Sequence, residues 1–123
     1  MANVYEKALE LHEELRGKIS TELKGELNSK EDLSLLYSPG VAEPCRKIAD
    51  DPEAAYKYTW KSNTIAVVSN GTAVLGLGDI GAEASLPVME GKCCLFKRFG
   101  GLNAVPVVID SKDPQEIIDI VKA

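Results

Sequence analysis

At 123 residues, 45% of them hydrophobic and 27% charged, the sequence has the size and make-up of one globular domain that buries a core without metal or disulfide staples. A net charge of −5 leaves no basic stripe to neutralise phosphates, which excludes a nucleic-acid partner; the pair Lys97-Arg98 is too short for that role. No apolar run reaches membrane-spanning length and the first residues lack a signal-peptide core, so the expectation is a cytoplasmic protein with no membrane partner.

In chain order, residues 3–17 place Val4, Ala8, Leu9 and Leu15 at helical spacing, with Glu and Lys opposite. His12, the only histidine, lies beside this stripe and reads as helix packing or surface, because one imidazole alone makes no metal site. Residues 18–25 partly alternate and read as a short strand. Asn28 and Ser29, followed by Glu31 and Asp32, start a helix that ends near Tyr37, where Ser38-Pro39-Gly40 breaks it. Two further small helices follow over 41–51 and 51–59, the latter with Pro52 in its first turn.

Residues 63–76 carry two β-branched runs flanking Asn70-Gly71, the dipeptide of a type I′ turn, and predict an antiparallel hairpin. Cys93 and Cys94, two of three cysteines, are expected on opposite faces of a strand near 92–96; with Cys45 they form no C-x-x-C pair and read as reduced thiols. Residues 105–109 predict a buried strand. Asp113 and Pro114 then open a helix whose apolar pattern runs to Ala123, as in a piece of a longer protein. The expected fold is α/β: a small mixed sheet containing the hairpin, the 92–96 segment and strand 105–109, flanked by helices.

Gly76-Leu77-Gly78-Asp79-Ile80-Gly81 matches G-x-G-x-x-G, the fingerprint of a dinucleotide-binding turn, with Asp110 as the candidate ribose acid. Three features oppose that reading. Asp110 follows Gly81 by 29 positions, whereas the ribose acid belongs about 20 residues on. Pro87 falls where the phosphate-binding helix should run. Asp79 would bring a carboxylate to a pyrophosphate. A tight turn near another segment or a small ligand is the alternative.

Residues 36–45 (LYSPGVAEPC), 67–101 (VVSNGTAVLGLGDIGAEASLPVMEGKCCLFKRFGG) and 104–110 (AVPVVID) resemble the N-terminal, malate-binding domain of bacterial-type malic enzymes. The resemblance covers 28–123 and implies a catalytic domain there, with 1–27 as a leading helix and connection. It implies oxidative decarboxylation of malate to pyruvate and CO2 with NAD or NADP and Mg²⁺ or Mn²⁺. It also implies a homodimer, and a glycine motif that belongs to the substrate domain. By correspondence, Tyr37 is the general acid that protonates C3 of enolpyruvate and Lys92 the general base that takes the C2 hydroxyl proton. A phenol suits the first role; a lysine suits the second where burial or a like charge favours its neutral form, although Glu90 offers an opposing charge. Ala73 stands where many eukaryotic members carry a substrate-binding arginine, so other groups must hold the malate carboxylate. The resemblance puts metal and cofactor ligands outside this chain, so no cofactor-binding or metal residue is assigned and the chain alone is expected to lack turnover. The alternatives are a non-catalytic homodimerisation module and a free-standing dinucleotide-binding domain using residues 76–81.

Overall fold

The computed structural model describes residues 3–123. It divides into two compact units: the residues up to Ser20 with Thr64–Ala123, and Thr21–Asn63.

The first unit begins with α1 (Val4–Leu15), capped by Asn3, whose side chain accepts from the Tyr5 and Glu6 amides while Glu6 returns a bond to the Asn3 amide. Its centre is a β-α-β arrangement. Strand β1 (Thr64–Ser69) pairs in parallel with β2 (Asn103–Val108), Thr64 opposite Asn103 and Ser69 opposite Val108. Parallel neighbours need a crossover, and α5 (Leu86–Gly100) supplies it, packing on both strands. Met89 and Cys93, one turn apart on α5, are buried together with Val74, Ala82, Ser85 and Ile109. Gly101, with φ +66, ends α5 in the left-handed conformation that glycine adopts without strain. The last helix, α6 (Pro114–Lys122), is capped by Asp113 and has Pro114 in its first turn, as its sequence signals.

The second unit carries α2 (Lys30–Leu36), α3 (Ala42–Asp50) and α4 (Ala55–Tyr58), with single 3₁₀ turns at Pro52–Ala54 and Trp60–Ser62. Ser29 and Asp32 exchange side-chain and backbone bonds in a capping box at the start of α2. Asp51 caps the turn that Pro52 opens. None of its residues is fully buried.

The α/β architecture stands, but the hairpin does not. Among the described residues the sheet has two strands, both parallel, and residues 72–76 leave it. Asn70-Gly71 does turn the chain, into a loop rather than a returning strand. The Asn70 carboxamide accepts from the Thr72 amide and hydroxyl and donates to the Ser111 carbonyl, which diverts the chain from β1. Residues 92–96 are helical, so Cys93 and Cys94 are neighbours on α5: the first is buried, the second half-buried. The alternation over 18–25 forms no strand. Pro87 lies in the first turn of α5, where its missing N–H costs nothing, so it is no objection to a helix after the glycine motif.

Candidate active site and the glycine loop

Tyr37 follows the last turn of α2. Its amide donates to the Leu33 carbonyl at 2.8 Å and its carbonyl accepts from Val41 at 2.7 Å. Gly40 makes this bend possible: its amide reaches the Ser34 carbonyl at 2.8 Å, and a Cβ there would stand 2.5 Å from that same oxygen. The Ser38-Pro39 bond is cis. The Tyr37 ring is exposed, so its hydroxyl is available to a partner outside this unit's own side chains.

Lys92 projects from α5 and is exposed. With Leu95, Phe96, Phe99 and Gly100 it lines a shallow groove of about 510 Å³ along one face of that helix. Among the described residues its ammonium makes no hydrogen bond or ion pair. Glu90, whose charge was the competing influence, is engaged elsewhere: Oε1 accepts from the Lys18 amide at 3.1 Å. Residues two apart point to different faces of a helix, so that bond draws the carboxylate away from Lys92. Tyr37 and Lys92 belong to different units, and each is placed here only within its own.

The glycine motif forms a self-satisfied loop. Gly76, Gly78 and Gly81 all have positive φ, at +80, +72 and +87. The Val74 amide donates to Gly78, the Leu77 and Gly78 amides to Val74, and the Ile80 and Gly81 amides to Gly71. A pyrophosphate cradle needs such amides free and aimed at the ligand, at the very start of a helix. Here five are used inside the loop, a 3₁₀ turn (Glu83–Ser85) intervenes before α5, and Asp79 pairs with Lys112 at 2.7 Å. These residues do not fit a dinucleotide. Among the described residues no group of three or more His, Cys, Asp or Glu side chains is placed to hold a metal ion.

One set of contacts was not visible in the sequence. His12 has a partner, the Lys18 ammonium 2.9 Å from Nε2. The spacing of six is not a helical contact, and the lysine returns only because α1 ends between them.

A β-α-β unit with a compact glycine loop ahead of its helix, together with a separate small helical unit, makes an α/β fold. Residues 16–120 match the sequence profile of the malic enzyme N-terminal domain. The chain belongs to the malic enzyme family. It is 54% identical, over all of its length, to a quarter (25%) of the NAD-dependent malic enzyme of Geobacillus stearothermophilus. It is also 54% identical, over 96% of its length, to 16% of a probable NADP-dependent malic enzyme of Rickettsia prowazekii. The malic enzyme structure from Pyrococcus horikoshii superposes with a TM-score of 0.94 at 54% identity, over 98% of this chain and 28% of that one. The chain thus spans between 15% and 32% of the relatives it matches.

Proposed function

We propose that this chain supplies acid–base groups to a malic enzyme that converts malate to pyruvate and CO2 with NAD or NADP and a divalent metal. Residues 28–123 are its part of the catalytic domain, and 1–27 the leading helix and connection. The observation that carries the reading is the family match, which spans both Tyr37 and Lys92 at 16–120. The freedom of Lys92 from Glu90 supports it. Lys92 takes the proton of the C2 hydroxyl as the C2–H bond gives up its hydride; Tyr37 then donates its phenolic proton to C3 of the enolate left by CO2 loss. A lysine acts as a base only where its ammonium is desolvated or beside another cation. Covering the strip of Leu95, Phe96 and Phe99 would provide that desolvation. Hydride acceptance and polarisation of the C2 oxygen are the work of the nucleotide and the metal, for which no residue of this chain is assigned.

The chain by itself is expected to form no NADH or NADPH from malate with Mn²⁺ present. The direct test of the roles grafts this segment in place of the matching quarter of the Geobacillus enzyme. Lys92→Ala should then lower kcat about 10²–10⁴-fold, and Tyr37→Phe should block enolpyruvate protonation to a similar degree. Unchanged kcat in both variants would remove the assignment. Tight NAD binding by the isolated chain, abolished by Gly78→Val, would favour the dinucleotide reading instead. Self-association is part of the proposal: α1 exposes Val4, Tyr5, Leu9 and Leu15, an uncovered apolar stripe. A monomer in sedimentation at tens of micromolar would count against the homodimer.

A further inference from the structure

We propose that His12, Lys18 and Glu90 form a proton-sensitive latch fastening the segment after α1 to the first turns of α5. All three lie in one compact unit and are half-buried. After Leu15 the chain reverses through two consecutive residues of positive φ, Arg16 at +55 and Gly17 at +105. A non-glycine residue enters that region only when its surroundings hold it there. Arg16 is the C-cap of α1, its amide bonded to the His12 carbonyl, and the residue after the reversal, Lys18, ties it to α5. The Lys18 amide donates to Glu90 Oε1 at 3.1 Å, its carbonyl lies 3.9 Å from the Cys94 thiol, and its ammonium donates to the Pro87 carbonyl and to His12. Gly17 is tight against the same carboxylate, since a Cβ there would sit 3.1 Å from Glu90 Oε1.

The bonds of His12 fix its protonation state. Nδ1 lies 2.6 Å from the Ala8 carbonyl, which can only accept, so Nδ1 carries the proton. Nε2 lies 2.9 Å from an ammonium, which can only donate, so Nε2 offers a lone pair. The imidazole is therefore neutral. A second ring proton would replace this bond with two cations in contact. The ring's own partners are the Ala8 carbonyl on α1 and the Lys18 ammonium from the following segment; Lys18 in turn meets the Pro87 carbonyl, the Glu90 carboxylate and the Cys94 thiol of α5. The latch is closed while the imidazole is neutral and opens as acid charges it. It secures the helix that carries Lys92, yet it rests on these bonds alone, whatever the role of Lys92.

The test uses the 123-residue chain. Nitrogen-15 NMR at pH 8 should find His12 as the neutral Nδ1–H tautomer. Exchange of the Lys18 amide, corrected for its intrinsic pH dependence, should lose about tenfold or more of its protection between pH 8 and pH 5.5, the loss expected for a charge-assisted bond. His12→Gln keeps a neutral acceptor and should show equal protection at both pH values. An Nε2–H tautomer, pH-independent protection in the wild type, or the same loss in His12→Gln would each overturn the latch. If the variant does not fold, the wild-type tautomer and pH dependence decide the matter.

Discussion

Residues 21–63 form helices and turns without a single fully buried residue, whereas all buried side chains among the described residues lie in the unit built on β1, α5 and β2. The two regions are held by different forces. In the helical unit, caps and local hydrogen bonds fix each short segment, and most bonds span a few residues, as in Asp32 to Ser29, Asp51 to Glu53 and Gly40 to Ser34, with Lys24 to Asn63 a long-range exception. In the β-α-β unit, contacts join residues far apart in sequence, as in Thr64 with Asn103 or Asp79 with Lys112. Damage should therefore spread through the second kind of unit and stay local in the first.

The largest effect is expected at Gly71. A Cβ there would stand 1.9 Å from the Gly81 carbonyl oxygen, at a φ of +71 that already disfavours any side chain. Gly71→Ala should cost about 4 kcal/mol or more, adding left-handed strain to an overlap with backbone that cannot swing aside. Gly76→Ala, with nothing within 4 Å of the added carbon, should cost only about 1–2 kcal/mol. Denaturant unfolding of both variants checks the contrast, and equal costs would mean the loop rearranges freely.

Next comes Met89, 6% exposed in the core of the β-α-β unit. Met89→Ala should cost about 3 kcal/mol through lost burial and the cavity left behind. Leu35→Ala, at a side chain 70% exposed in the helical unit, should stay within about 0.5 kcal/mol. If the isolated chain loses comparable stability at Leu35, that face is covered in solution, and self-association becomes the explanation to test.

Ser29→Ala sits lower still. It removes one arm of the capping box and should cost about 1 kcal/mol, confined to α2 in hydrogen exchange. Loss of protection in β1 or α5 would break the local-versus-distributed contrast.

The same contrast explains what could be read from the sequence. Ser29, Asp51-Pro52 and Asp113-Pro114 act on amides two or three residues away, so their signals survive in a one-dimensional reading. The hairpin failed because the β1 partner lies nearly forty residues on, while Asn70-Gly71 answered to Ser111 and Gly81 rather than to a neighbouring strand. Periodicity alone could not separate a buried helix segment from a strand at Cys93 and Cys94. At the candidate site, the motifs located Tyr37 and Lys92, but only the fold revealed that Glu90 is occupied by Lys18, since that bond crosses 72 residues. The Lys18 partner of His12 stayed out of view for the same reason: it arrives by way of a chain reversal at Arg16 and Gly17 that no local pattern announces.

The smallest effect concerns two carboxylates, one in each unit. Asp32 is held below its ordinary value by the amide of Asn28, the Ser29 hydroxyl and the Ser29 amide; Asp79 is lowered by a hydrogen bond from Lys112 and by its charge. For both groups the folded pKa lies below the unfolded one. Each therefore adds stability that is present above the unfolded value of 3.8 and is lost as pH falls through the lower folded value. Lys112 has the opposite sign: its raised pKa adds stability that is complete below its unfolded value of 10.5 and is lost as pH rises through the folded one. The Asp79–Lys112 pair is well exposed, so its contribution near neutral pH is small. Lys112→Met should move the Asp79 carboxyl titration upward, toward the ordinary range, and leave Asp32 where it is. Molar salt should do the same, because it screens the Lys112 charge but not the short amide bonds around Asp32. Carbon-13 NMR of the two carboxyl groups reads both shifts in one titration. A salt response of equal size at both sites would mean that long-range charge, rather than local hydrogen bonding, also governs the helical unit.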